Sequence, residues 1–343
     1  MTLNNARSTS IQLDASMEEA DSRPPLLVLV GPTAVGKTAL SLQLAKALGA
    51  EIISGDSMQV YRGMDIGTAK LPLEEREGIP HHLIDICEPS ETFSAADFQA
   101  RCTDAIRDIH SRGKLPMIVG GTGLYVEAVC YGYQFQDYGS DETFRKRMSD
   151  YAREFGAEAL HARLAAVDPE TAGRLHPNDE RRVIRALEVY ETTGKPLSEL
   201  QSQSRGDAKR SPYKLCLIGL TMDRDRLYER INERVDLMLE QGLVDEVKGL
   251  MDKGVPLSSA ALQALGYKEI VPYLTGELDY DSAVALLKRD TRHFAKRQLS
   301  WFRHMRELEW VDLDSLPKNS DLFKEICGII AGKFPFDIEY ICS

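Results

Sequence analysis

The chain has 343 residues, 43% of them hydrophobic, and carries 42 Lys+Arg against 53 Asp+Glu for a net charge of −11. No apolar run approaches the ~20 residues that cross a bilayer, which sets aside a helical membrane protein. The acidic balance argues against a generally cationic nucleic-acid binder, because phosphate contacts need cations. Local fields decide binding, however, and between Lys288 and Arg306 seven Lys/Arg accompany one Asp.

The length suggests about two domains, or one domain with an insertion. The N-terminus has no apolar h-region, so no secretory signal is expected. Six cysteines are scattered without a C-x-x-C pair and read as reduced thiols rather than staples or zinc ligands. A cytoplasmic monomer with no membrane attachment is the default expectation.

Residues 1–24 are polar and end at Pro24-Pro25; they predict a disordered tail. Leu26–Val30 is wholly apolar, as expected of a central parallel strand buried on both faces. Thr38–Leu48 has helical spacing at Leu40, Leu44 and Leu48 and stops at Gly49. Glu51–Ser54, Pro116–Val119 and Lys214–Leu220 read as further strands; His82–Ile86 reads as a strand or strand-like connection, and Val311–Leu313 as a late strand. From about Tyr131 to Arg205 the alternation breaks. Phe144, Met148, Tyr151 and Phe155 repeat at helical spacing, as do Val183, Leu187 and Tyr190. Two long helices are expected over Arg226–Met251 and Asp281–Met305. The pattern predicts an α/β fold, a doubly wound and mostly parallel sheet of phosphate-loop type with a helical insertion. The expected division is a core over 25–130 and 206–316, an insertion over 131–205 and an extension over 317–343.

Gly31-Pro32-Thr33-Ala34-Val35-Gly36-Lys37-Thr38 fits G-x-x-x-x-G-K-[ST] in full, between a strand and a helix. In such a loop backbone N–H groups and a helix N-terminus face phosphate oxygens, the Lys neutralises the terminal phosphate, and the Thr hydroxyl faces Mg²⁺. ATP is the usual occupant, but any diphosphate with Mg²⁺ satisfies the same physics. An ATPase carries a second acid after an apolar strand, and the near match, His82-Leu83-Ile84-Asp85, is poor. Asp56 follows the second strand, where the chemistry of open α/β sheets lies. It reads as a proton acceptor or as a turn residue capping a helix, with neither favoured by spacing alone. Thr122, in Gly120-Gly121-Thr122-Gly123, offers a hydroxyl at the end of the third strand, or a tight turn into the next helix.

These blocks resemble the tRNA dimethylallyltransferase (tRNA isopentenyltransferase) family. The likeness rests on Gly31–Thr38, on the run from Asp56 through Ser57, Met58 and Gln59 to Lys70, and on Pro80–Asp85 and Gly120–Tyr125. It continues in His176–Asp179 with Arg182 and Arg185–Tyr190, in Gly266–Glu269, and in Phe294–Arg303. It extends from about Leu26 to Trp310; Val35, Gly55 and Leu265 depart from the usual residues without removing a chemical group.

The resemblance implies transfer of a dimethylallyl group from dimethylallyl diphosphate to N6 of the adenosine just 3′ of the anticodon. Asp56 and Thr122, on strand ends near one phosphate site, are the catalytic pair expected for this transfer. The loop residues Gly31, Thr33, Ala34, Val35, Gly36, Lys37 and Thr38 would hold the diphosphate, Thr38 also the Mg²⁺. By family analogy Arg224 joins them; without the analogy it is a surface Arg at a helix start. Asp56, Ser57, Met58, Gln59 and Thr122 would meet the flipped tRNA base. Arg181 and Arg182 read as phosphate contacts or surface charge, and Lys296 and Arg297 as RNA contacts. Gln298 shares the Phe294/Trp301/Met305 face and reads as a base reader or a partly buried structural Gln. The rivals are a phosphate-loop kinase, an isopentenyltransferase acting on free adenylate, and a non-catalytic RNA-binding protein.

Overall fold

The computed structural model describes residues 21–135, 138–139, 141–205, 210–315 and 322–334, without the side chains of 202–205. The expected disordered tail lies outside the described residues up to position 20.

In chain order, β1 (Pro25–Val30), α1 (Lys37–Leu48), β2 (Ala50–Gly55), β3 (His81–His82), α2 (Ala95–Ser111), β4 (Leu115–Gly120) and α3 (Gly123–Cys130) form the first part. Five helices follow: α4 (Glu142–Phe155), α5 (Ala157–Val167), α6 (Pro169–Arg174), α7 (Glu180–Thr193) and α8 (Leu197–Arg205). Then come β5 (Lys214–Thr221), α9 (Arg224–Glu240), α10 (Leu243–Asp252), α11 (Val271–Leu274), α12 (Tyr280–Phe302), β6 (Leu308–Asp312) and α13 (Leu322–Lys333). The strands pair in parallel in the order β3-β2-β4-β1-β5-β6. No helix among the described residues is long and apolar enough to cross a membrane.

The apolar run of β1 is buried on both sides because side chains alternate across a sheet. Leu27 and Leu29 pack with Leu40 and Leu44 of α1, Ile231 of α9 and Ile330 of α13. Leu26, Val28 and Val30 pack with Phe98 and Ile106 of α2, Val126 of α3 and Phe302 of α12. Within the segment past 317, unread in the sequence, the described residues 322–334 thus close one face of the sheet. Ile326, Cys327, Ile330 and Phe334 are buried there, at roughly 1.5–3 kcal/mol for each large side chain.

Helices α4 to α7 enclose a core of their own built on Phe144, Met148, Leu160, Leu164, Val183 and Leu187. Glu188 ties it together. Its carboxylate, fully buried, accepts from Asp141 N (2.7 Å), Arg145 Nε (2.9 Å) and Arg185 Nη1 (2.5 Å). Burial works to raise its pKa, but the Arg185, Asp141 and Arg145 partners outweigh burial and hold it below the usual range.

Two elements differ from expectation and one open reading is decided. The single helix expected over Arg226–Met251 is two, α9 and α10, separated at Gly242, whose φ of 100° no helical residue adopts. His82–Ile86, read as a strand or a strand-like connection, is the connection: pairing is confined to His81–His82, since Leu83 (φ 61°) and Asp85 (φ 57°) turn the backbone out of the extended region. The last strand starts earlier, at Leu308.

Candidate active site

The carboxyl ends of β1, β2 and β4 open into a cleft of about 770 Å³ whose opposite wall is α9, α12 and the 263–268 segment. The Gly31–Thr38 loop crosses its floor between β1 and α1. Ala34 holds a left-handed φ of 65° and Gly36 one of 110°. Lys37 Nζ folds back and donates to the carbonyls of Gly31 (2.9 Å) and Pro32 (2.7 Å). Burial and the like charge of Arg234 bring its pKa down to about 7, against the pull of Asp56. Thr38 stands exposed on the cleft wall.

Asp56 and Thr122 come together because β2 and β4 are neighbours whose last residues, Gly55 and Gly120, are in register. Thr122 N donates to Gly55 O (3.1 Å), and Ser57 N donates to Thr122 Oγ1 (3.0 Å). The Thr122 hydroxyl in turn donates to Ser57 Oγ (3.3 Å). Asp56 Oδ1 accepts from Met58 N (2.8 Å), so the turn role and a site role coexist in one carboxylate. Burial pushes its pKa up; the Met58 N–H, Lys37, the Gln59 N–H and Arg234 act against that. Gln59 is fixed at both ends of its amide: Oε1 accepts from Ser54 Oγ (2.7 Å) and Nε2 donates to Thr68 O (3.2 Å). Met58 and Ser57 line the cleft beside it.

The loop that carries Thr68 is clamped from α10. Glu246 accepts from the N–H groups of Asp65 and Ile66 (2.8 Å each) and Gly67 (3.0 Å), and from the Tyr267 hydroxyl (2.6 Å). Asp85, the near match to a metal-holding acid, accepts from the buried Lys70 ammonium at 2.6 Å. That ammonium also bonds Asp65 Oδ1 (2.6 Å) and Tyr61 O (2.9 Å).

Gln298, only 6% exposed, lines the cleft with both ends of its amide engaged. Its Oε1 accepts from Thr33 N (2.9 Å) and its Nε2 donates to Gly121 O (3.0 Å), joining the phosphate loop to the end of β4. These two contacts give Gln298 a bracing role, the structural one of its two sequence readings, at a position that lines the cleft. Arg224 is exposed at the start of α9 with its guanidinium 5.1 Å above the Tyr228 ring, and is not among the residues that line the cleft. Two turns on, Arg230 and Arg234 do line it. Burial lowers the pKa of Arg234, which Asp56 opposes. The i, i+4 spacing of these two arginines beside the buried Leu227/Ile231/Val235 stripe is visible in the sequence and was the missed signal.

Arg297 lines the cleft with its guanidinium 5.8 Å from the Phe294 ring centre, and Lys296 is exposed next to it. Arg181 and Arg182 are exposed on the first turn of α7, Arg182 within 3.8 Å of Asp179. Among the described residues no group of three or more His, Cys, Asp or Glu is placed to hold a metal. A cation here would depend on Thr38 and on oxygens of the bound ligand.

A parallel sheet with a phosphate loop, a half-buried acid and two arginines around one cleft defines a phosphate-loop α/β protein. The IPP transferase family profile matches residues 59–305. A tRNA dimethylallyltransferase of Bacillus velezensis is 56% identical over 314 residues, covering 91% of this chain and 98% of the relative. One from Symbiobacterium thermophilum is 56% identical over 91% of this chain and 96% of its own. Among solved structures, a full-length tRNA isopentenylpyrophosphate transferase from Bacillus halodurans superposes with a TM-score of 0.67 at 50% identity, covering 91% of this chain and 97% of that one. A eukaryotic dimethylallyltransferase acting on tRNA gives 0.74 at 31% identity, covering 93% and 84%. The chain belongs to the IPP transferase family.

Proposed function

We propose that this protein is a tRNA dimethylallyltransferase, moving the dimethylallyl group of dimethylallyl diphosphate to N6 of the adenosine 3′ to the anticodon. The observation that carries the chemistry is the single cleft in which Lys37 and Arg234 face Asp56 beside Thr122. In the transfer the allylic C–O bond breaks as the C–N bond forms, diphosphate leaves with the electron pair, and the amine loses a proton. Charge grows on the departing oxygens, so the loop N–H groups, Lys37, Arg230 and Arg234 stabilise that step. The Thr38 hydroxyl and the ligand's own oxygens would hold Mg²⁺, which would add further neutralisation of the leaving group.

The adenine amine is a poor nucleophile because its lone pair is delocalised into the ring. Asp56 accepts its proton, and burial suits the carboxylate to that task by raising its basicity. Thr122 orients the amine. The target base leaves its stack to reach the cleft, and single-stranded loops are the usual targets of RNA readout. Arg297 and Lys296 on one side and Arg181 and Arg182 of the insertion on the other meet the RNA backbone. A monomer working in the cytoplasm completes the proposal.

The test is incubation of tRNA with dimethylallyl diphosphate and Mg²⁺ without ATP. A mass increase on the adenosine beside the anticodon is expected. Phosphoryl transfer from ATP to a small molecule, with unmodified RNA, would favour the kinase instead.

A further inference from the structure

Trp301 is one of two tryptophans in the chain and lies in the last turn of α12, outside every role assigned so far. Its indole N–H donates to Glu127 Oε2 of α3 at 2.9 Å. One side of its five-membered ring lies so close to Gly123 that a Cβ there would collide with the indole. The ring is thus held in orientation by its edge and by its support, yet the residue stays 37% exposed. It is not itself part of the cleft lining but adjoins residues that are. Thr122, next to Gly123, and Arg297 and Gln298, one turn before Trp301, all line that cleft. Lys296, Arg303 and His304 are exposed on the same end of the helix.

An indole whose N–H is already paired has one thing left to offer, a flat π face. Beside cations that suit phosphates, the partner with a matching flat face is a nucleobase. Extruding one base from a loop also leaves its neighbours without a stacking partner. We infer that Trp301 is a stacking platform for a base flanking the adenosine that enters the cleft. This rests on the reading that the cleft acts on RNA. Glu127 and Gly123 are positioning residues for the platform.

The Trp310→Phe variant leaves Trp301 as the sole tryptophan and is the background for a titration with an anticodon stem-loop RNA. Expected are quenching of the Trp301 emission and its protection from acrylamide. In kinetics, Trp301→Ala raises KM for the stem-loop about tenfold, the effect of losing one base–aromatic stack, while kcat and KM for dimethylallyl diphosphate hold and Trp301→Phe restores most of the loss. Normal prenylation of the stem-loop with unchanged emission, or with KM of Trp301→Ala within about twofold of the parent, overturns the platform and leaves the RNA reading standing. A W310F protein that neither binds nor modifies RNA, with the parent protein equally inert, removes both.

Discussion

Replacing Gln298 with Leu keeps the side-chain size and deletes both amide contacts. Thr33 N–H and Gly121 C=O lose partners at 2.9 and 3.0 Å. Two net hydrogen bonds amount to about 1–3 kcal/mol. Gly121 is buried and Thr33 only half-buried, so water can repair the second loss better than the first. The expected destabilisation is therefore roughly 2–4 kcal/mol, read as a lowered denaturant midpoint at constant m-value. The bridge also sets the distance between the phosphate loop and Thr122, so kcat/KM should fall for donor and RNA alike. Unchanged stability together with a raised KM for RNA alone would refute the brace and restore Gln298 as a base reader.

Three further outcomes follow from the geometry. Asp56→Ala should lower kcat by about 10²–10⁴-fold with RNA still bound, measured by single-turnover mass spectrometry. Arg234→Ala should weaken binding of inorganic diphosphate by about tenfold or more in calorimetry, while Arg224→Ala changes it by less than about threefold. Lys37 titrates near 7 in the free protein, so protonated Lys37 is depleted as pH rises from 7 toward 9. Diphosphate affinity should fall over that window by up to about tenfold per unit, with proton uptake on binding. The sign for stability is opposite: the unfolded chain binds more protons at Lys37 between pH 7 and its ordinary value, so this group's contribution to stability rises with pH there.

The core of the fold was legible because its signals are local. The five apolar residues of β1 could only be a buried strand, and the phosphate loop carries its context in eight consecutive residues. What escaped depends on tertiary partners. Helix α2 has a capping box at Ser94 and Asp97, but it follows a strand of two residues, so no sheet pattern drew attention to it. Helix α13 buries Ile326 and Ile330 against α1 and β5, a role no motif announces. Within the site, Asp56 and Thr122 were read from strand ends, and the parallel register of β2 with β4 brings them together. Arg234 went unread because α9 carries Arg224, Arg226, Arg230 and Arg234, and only their placement against the buried Leu227, Ile231 and Val235 separates those that line the cleft.

The makeup of the cleft also bears on which diphosphate it prefers. Beyond the loop, its lining includes Leu71, Ile84, Leu237, Met238, Leu265 and Phe294. A nucleoside triphosphate would set a polar ribose and further phosphates against such a wall, at the cost of their hydration. A five-carbon allylic chain instead gains about 0.8 kcal/mol for each carbon buried, up to roughly 4 kcal/mol. Asp85 cannot redress the balance toward an ATPase arrangement, since Lys70 already holds its carboxylate at 2.6 Å. The acid left facing Lys37 is Asp56, whose basicity burial raises, which suits taking a proton from an amine at the end of an apolar chain. On the proposed reaction, the loop that other folds use for ATP serves as a leaving-group site through the residues across from it, and Leu265→Asp should discriminate against dimethylallyl diphosphate far more than against inorganic diphosphate.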